Sequence, residues 1–302
     1  MEQDNVIKEI NRLRKEKNAV ILSHNYQRPE IQDIADYVAD SLGLSQKAAE
    51  SSADVIVLCG VRFMAETASI LCPDKIVLMP DPDAGCPMAN MISAENVREL
   101  RGKHPGAACV AYINTTADVK AEIDVCCTSS NAVEVVNSIE EDEVIFVPDK
   151  YLGQYVQSKT EKKLILWNGY CPTHVRIQPE DILAARKEHP KARVMVHPEC
   201  TPLVTALADA VLSTGNMLKY AEQSPAREFI VGTEVGIIHQ LKKQNPKKEF
   251  HPATSLSTCP NMKKTTLPKV LSSLQNMEHE VKVTESTARK ARRAIQRMLE
   301  IT

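Results

Sequence analysis

Leu164-Ile165-Leu166-Trp167-Asn168-Gly169-Tyr170-Cys171-Pro172-Thr173-His174 is a short apolar run that passes into a polar turn and presents a cysteine followed by proline. The run reads as a β-strand with Cys171 at its mouth. The same design occurs twice more. Upstream, Ile76-Val77-Leu78 leads through Asp81-Pro82-Asp83-Ala84-Gly85 to Cys86-Pro87. Downstream, Phe250-His251 leads through Thr254-Ser255-Leu256-Ser257-Thr258 to Cys259-Pro260. One Cys-Pro dipeptide says little. Three of them, each after a strand-like segment, imply three soft ligands brought to one place.

The spacing extends this pattern to the whole chain. At an offset of 85 residues, Ile92-Ser93-Ala94-Glu95 falls on Ile177-Gln178-Pro179-Glu180, and His104-Pro105 on His189-Pro190. Asp124 falls on Asp209, Thr128-Ser129 on Ser213-Thr214, and Asn131 on Asn216. The N-terminal third joins at an offset of 88, with His24 on Tyr112, Tyr26 on Asn114, Asp36 on Asp124 and Asp40-Ser41 on Thr128-Ser129. The chain reads as an internal triplication. Its units are residues 1–86, 87–171 and 172–269, with a C-terminal helix over 270–302 expected to pack on the first.

Within each unit, amphipathic helical stretches alternate with short apolar strands such as Ala19-Leu22, Ala108-Ile113 and Arg193-Val196. That alternation implies an α/β fold: three pseudo-symmetric αβα domains with parallel sheets around a central cavity. In open parallel sheets ligands lie beyond the carboxyl ends of the strands. His24 and Tyr26, Tyr112 and Asn114, and His197 and Glu199 all stand at such ends, as do the three Cys-Pro cysteines.

Composition excludes several classes of function. The 302 residues carry a formal net charge of -2, so neither nucleic acid nor an anionic membrane is the expected partner. Aromatics make up only 4%, too few for a base-stacking surface. No apolar run approaches the length of a membrane span, and the N-terminus has no apolar signal core. Nine cysteines, an odd number, argue against a disulfide framework and for a reducing, cytoplasmic setting.

Cys59, Cys72, Cys109, Cys126, Cys127 and Cys200 lie in or beside apolar stretches and are expected as small core side chains. Cys86, Cys171 and Cys259 differ, because each sits in a polar turn stiffened by the following proline. Zinc is one candidate, but structural zinc favours four closely spaced ligands. Three distant thiolates suit a 4Fe–4S cluster, which would keep one iron open as a Lewis acid.

Asp40-Ser41, Thr128-Ser129 and Ser213-Thr214 each precede a helical run. Capping accounts for any one of them. Three at equivalent positions imply helix N-termini turned toward a small polyanionic ligand. Glu199 is the only carboxylate in the strand-end set and is the expected general base, with histidine and tyrosine as proton donors or carboxylate ligands. His104 and His189 read as structural residues at helix C-termini.

Several stretches together resemble the quinolinate synthase family. They are Ser23-His24-Asn25-Tyr26-Gln27, Ala39-Asp40-Ser41-Leu42, Ala84-Gly85-Cys86-Pro87-Met88, Tyr112-Ile113-Asn114-Thr115-Thr116 and Cys127-Thr128-Ser129-Ser130-Asn131-Ala132, followed by Cys171-Pro172-Thr173-His174, His197-Pro198-Glu199-Cys200 and Cys259-Pro260-Asn261-Met262-Lys263-Lys264. The resemblance covers nearly the whole chain. It implies a 4Fe–4S cluster on Cys86, Cys171 and Cys259, and condensation of iminoaspartate with dihydroxyacetone phosphate to quinolinate in NAD biosynthesis. It further implies proton transfer by Tyr26, His197 and Glu199. Carboxylate or phosphate would be held by His24, Ser41, Tyr112, Asn114, Ser129, Ser213 and Thr214, with His174 beside the cluster. It leaves open whether an L-aspartate oxidase partner channels the iminoaspartate. Some family members carry Cys-x-x-Cys-x-x-Cys around the last ligand; Cys259-Pro260-Asn261-Met262 does not, so no redox disulfide is expected there. The competing readings are an aconitase-like hydro-lyase, a non-catalytic iron–sulfur sensor and a zinc-stabilised binding protein.

Overall fold

A computed structural model describes residues 2–301. Twelve strands form three separate four-stranded sheets, all parallel. The first holds β1 (Ala19–His24), β2 (Tyr37–Ala39), β3 (Val55–Cys59) and β4 (Ile76–Leu78). The second holds β5 (Ala108–Tyr112), β6 (Val125–Cys127), β7 (Glu143–Val147) and β8 (Lys163–Leu166). The third holds β9 (Arg193–Val196), β10 (Ala210–Val211), β11 (Glu228–Gly232) and β12 (Glu249–Pro252). Within each sheet the second strand in sequence takes the edge and the first lies between it and the third, giving the orders β2-β1-β3-β4, β6-β5-β7-β8 and β10-β9-β11-β12. The triplicated α/β/α architecture expected from the offsets is present.

The central strands read as apolar runs because helices cover both faces. Val55–Cys59 and Ala108–Tyr112 are buried at every residue, as parallel sheets require. Another side chain recurs in all three units. Asp36, Asp124 and Asp209 each accept the backbone N–H of the residue fifteen positions earlier, Ile21, Cys109 and Val194, at 2.8, 2.7 and 2.7 Å. Each carboxylate also meets an arginine from the preceding helix, Arg14, Arg101 or Arg186. The Asp therefore ties the helix, the first strand and the turn before the edge strand together, which explains why it survives at both offsets.

The tail departs from the single helix expected over 270–302. Leu267–Asn276 packs on helix Glu2–Glu16 and on β3 of the first sheet. Met277, at φ 55°, takes the left-handed conformation that ends this helix. The chain then runs beside β4, pairing Met79 with His279 and Val77 with Val281. A second helix, Glu285–Glu300, lies against β6 and helix Ala117–Lys120 of the second unit, and also against helix Arg62–Leu71 of the first. Its buried stripe Ala288, Ala291, Ala294, Ile295 and Met298 accounts for the position, because small residues allow close approach to two units at once. Asn131 donates to the carbonyls of Met298 and Ile301 and anchors its end. Among the described residues no helix is long and apolar enough to cross a membrane.

Candidate active site and metal centre

The carboxyl ends of the three sheets converge on one cavity of about 220 Å³. Every residue singled out from the sequence lines it except Ser213. Ser213 caps helix Thr214–Gln223, and its hydroxyl bonds the Ser130 hydroxyl at 2.8 Å instead. Cys86, Cys171 and Cys259 are half-buried and reach this cavity, whereas the other six cysteines are buried elsewhere in the packing.

The three cysteine loops share one local design. Each Cys-Pro leads within three residues into a 3₁₀ turn: Ala89–Met91, His174–Arg176 and Met262–Lys264. That turn aims backbone N–H groups at the sulfur: those of Ala89 and Met88 at Cys86, of His174 at Cys171, and of Met262 and Asn261 at Cys259. Burial pushes the Cys86 thiol up to about 12, and the Cys259 sulfur adds to the rise. Cys171 is driven well above its ordinary value, chiefly by burial and then by Glu199, with Cys86 also contributing. Three buried thiols, each cradled by N–H donors and with Cys86 opposing ionisation of Cys171, form a site suited to a cation. Beside the three sulfurs, Cys171, His174 and Glu199 place one ligand atom each within 4.8 Å of one another, so sulfur, nitrogen and oxygen donors all face this space; N–H groups directed at thiolates are a known means of tuning iron–sulfur centres.

A connected hydrogen-bond chain runs beside the cysteines. Tyr26 Oη lies 2.5 Å from Thr233 Oγ1, and Thr233 Oγ1 lies 2.8 Å from His174 Nε2. His174 Nδ1 lies 2.7 Å from Glu199 Oε2, and Tyr112 donates its hydroxyl hydrogen to Glu199 Oε1 at 2.5 Å. The polarity follows from the acceptor-only carboxylate: His174 donates from Nδ1, accepts from Thr233 at Nε2, and Thr233 accepts from Tyr26. Hydroxyl, imidazole and carboxylate thus stand in the relative order of a serine–histidine–acid triad. Burial opposes the Glu199 charge, yet His174, through its field and its hydrogen bond, and the Tyr112 hydroxyl hold the carboxyl well below the usual range. Tyr26 and Tyr112 are raised well above theirs, chiefly by burial and then by Glu199, so both stay protonated.

His24 and His197 repeat one turn. The N–H of Tyr26 donates to His24 Nδ1 at 3.1 Å, and that of Glu199 to His197 Nδ1 at 3.3 Å. Nδ1 as acceptor leaves the proton on Nε2, from which His197 donates to Ser129 Oγ at 3.2 Å. Burial lowers His24 to about 4 and His197 to about 3, so both imidazoles are neutral near pH 7. A group whose folded pKa is depressed contributes stability above its unfolded value, here 6.5, and loses that contribution as pH falls toward the folded value. The melting temperature should therefore decline as pH drops from 6.5 toward 4. A flat profile across that interval would show that these imidazoles charge freely in the folded chain.

Two of the three helix termini behave as expected. Asp40 caps Ser41–Glu50 through Gly43 N–H, and Ser213 caps Thr214–Gln223 through Asn216 N–H. The middle one differs: its helix, Ala132–Asn137, starts three residues after Ser129. There the side-chain Oδ1 of Asn131 accepts the Thr128 N–H and hydroxyl, which closes a turn in place of a helical cap. At the centre, Ser130 donates to Asp40 at 2.8 Å and meets Ser213, joining one residue from each unit. At Gly215 a Cβ would come within 2.6 Å of Asp40 Oδ2, so any side chain there would displace this carboxylate. Asn114 lines the cavity with a buried Oδ1 that has no hydrogen-bond partner, as a ligand-binding amide would.

Thr233 and the carboxylates Glu234 and Asp149 were not among the residues expected from the sequence. Glu234 is fully buried, accepts the Cys259 N–H at 3.0 Å and pairs with Lys263, which also donates to the Tyr26 carbonyl. Asp149 occupies the equivalent strand end of the second unit. Burial and Glu199 push it upward, and the N–H groups of Leu152, Tyr151 and Cys171 draw it back. The signal in the sequence was position alone: Asp149 and Glu234 are 85 apart, each just past a central strand.

The Thr233→Val substitution keeps shape and removes the hydroxyl between Tyr26 and His174. It should lower stability by about 1–3 kcal/mol, because two buried polar atoms lose a partner, and should lower turnover further than the stability loss explains. Wild-type turnover in a folded Thr233→Val variant would show that no proton crosses this residue.

The quinolinate synthetase A protein family matches residues 8–300. A quinolinate synthase of Dehalococcoides mccartyi strain 195 is 58% identical over 290 residues, covering 96% of both chains. A quinolinate synthase of Methanosarcina barkeri strain Fusaro is 52% identical over 301 residues, covering 100% of this chain and 99% of its own. One from Geobacter metallireducens is also 52% identical over 301 residues. A match from end to end at this level, on a chain with three converging cysteine loops, places it firmly: this chain belongs to the quinolinate synthase family.

Proposed function

We propose that the chain condenses iminoaspartate with dihydroxyacetone phosphate, releasing phosphate and two waters to form quinolinate. The observation that carries this reading is the Tyr26–Thr233–His174–Glu199–Tyr112 chain ending beside three thiols in one cavity. Cys86, Cys171 and Cys259 would hold a 4Fe–4S cluster. With only three protein ligands, such a cluster supplies an open iron as Lewis acid toward a carboxylate or hydroxyl oxygen.

The chain's own residues account for the remaining chemistry. Glu199, ionised and fixed by Tyr112 and His174, accepts a proton from the carbon skeleton during dehydration. Tyr26, protonated at neutral pH and oriented by the Thr233 hydroxyl that accepts from it, donates from Oη to a departing hydroxyl, and the proton taken up by Glu199 restores it before the next turnover. His24, Asn114 and His197 line the walls with hydrogen-bonding groups for carboxylates, and Ser41, Ser129 and Thr214 do so for phosphate. Burial of the site keeps water from the labile imine. The test is an anaerobic assay with both substrates. Quinolinate formation with equimolar phosphate release supports the reading. Hydration or dehydration of a single hydroxy acid, without phosphate release, would favour a hydro-lyase instead.

A further inference from the structure

The cavity wall carries three carboxylates, Asp40, Glu199 and Glu234, against a single arginine or lysine, Arg176. Glu234 is neutralised by Lys263 at 3.0 Å, outside the wall, while Asp40 is met only by a backbone N–H and a hydroxyl. His24 and His197 are neutral near pH 7. A small dianion entering this space therefore meets an ionised Glu199 and hydrogen-bond donors of only partial charge. Arg176 closes the turn that begins at His174, and it is exposed. Among the described residues, no carboxylate, carbonyl or ring engages its guanidinium. An arginine that lines a cavity and holds no partner of its own has its donors free for a ligand.

We propose that Arg176 captures and orients the doubly charged oxyanion group of the ligand, a phosphate or a pair of adjacent carboxylates, at the mouth of the cavity. This rests on the reading of the cavity as an anionic-substrate site. A guanidinium presents two parallel N–H donors to such a group, and its long side chain can follow the group inward. Arg176 is a binding residue in this scheme. Its loss should raise KM for the substrate it holds and leave kcat nearly unchanged, because nothing in the Tyr26–Glu199 chain touches it.

The experiment is titration calorimetry on the anaerobically purified protein, using inorganic phosphate and pyridine-2,3-dicarboxylate as separate probes. The proteins are wild type, Arg176→Gln and Arg176→Lys, each at two ionic strengths. Arg176→Gln should weaken binding of one or both probes by about tenfold to a hundredfold, with a smaller loss in Arg176→Lys. Its affinity should also depend less on salt, since a charge has gone. A loss confined to phosphate assigns Arg176 to the phosphate end, and one confined to the dicarboxylate assigns it to the carboxylate end. Melting temperatures should match wild type, as an unpartnered exposed side chain supports no packing. Wild-type affinity and salt dependence in Arg176→Gln would overturn the assignment. Failure of wild type to bind either probe would instead overturn the anionic-site reading on which it stands.

Discussion

Glu199→Gln should lower turnover on the order of a thousandfold to ten-thousandfold while leaving the fold and the proposed cluster intact. The substitution preserves volume, and the amide oxygen can still accept from Tyr112. What changes is the side facing His174. An amide NH₂ there opposes the Nδ1–H, so the imidazole must turn to its other tautomer and present N–H, rather than a lone pair, toward Thr233. Base and relay are lost together, which makes the expected effect large. Glu199 is not one of the three residues proposed to hold the cluster, so the visible absorption expected of a bound cluster should survive. Disappearance of that absorption in Glu199→Gln would mean that the carboxylate serves the metal centre rather than proton transfer.

The parts of the molecule that were legible in the sequence are those governed by short-range period. The β-strands of each unit are apolar because both faces are buried, and the offsets of 85 and 88 persist because the same Asp–arginine tie is rebuilt three times. The cysteine loops were legible for a similar reason: proline and a 3₁₀ turn recur after each sulfur. Residues that act by pairing across units were not. Tyr26 and Thr233 are 207 residues apart and only the folded chain shows that their hydroxyls meet. His174 was expected near the metal ligand, and it does lie 3.1 Å from Cys171 Sγ, but its bonds to Thr233 and Glu199 depend on the arrangement of three units. The late start of the middle helix turned on one side chain, Asn131, closing a turn upstream. The split tail turned on a left-handed Met277, which no periodicity announces.

Cys171→Ala should have the other large effect. Each ligand loop contributes one sulfur from one unit, and the scheme has no fourth thiol in the cavity to replace it, since the remaining cysteines are buried within the packing. Loss of one ligand leaves two thiolates, too few to retain a cluster that is ordinarily held by cysteine. The fold should persist, because Cys171 is only half-buried and the turn around it is fixed by its own backbone bonds, including Lys150 to the Gly169 carbonyl at 2.9 Å. Catalysis should be abolished along with the metal.

Iron and acid-labile sulfide content, measured with the visible spectrum on anaerobically purified wild type and Cys171→Ala, tests the metal centre most directly. The expected result is about four irons and four sulfides per wild-type chain, and their loss from a Cys171→Ala variant that still melts cooperatively. Zinc in place of iron in the wild type, or an unchanged iron and sulfide content in Cys171→Ala, would contradict a cluster held by Cys86, Cys171 and Cys259.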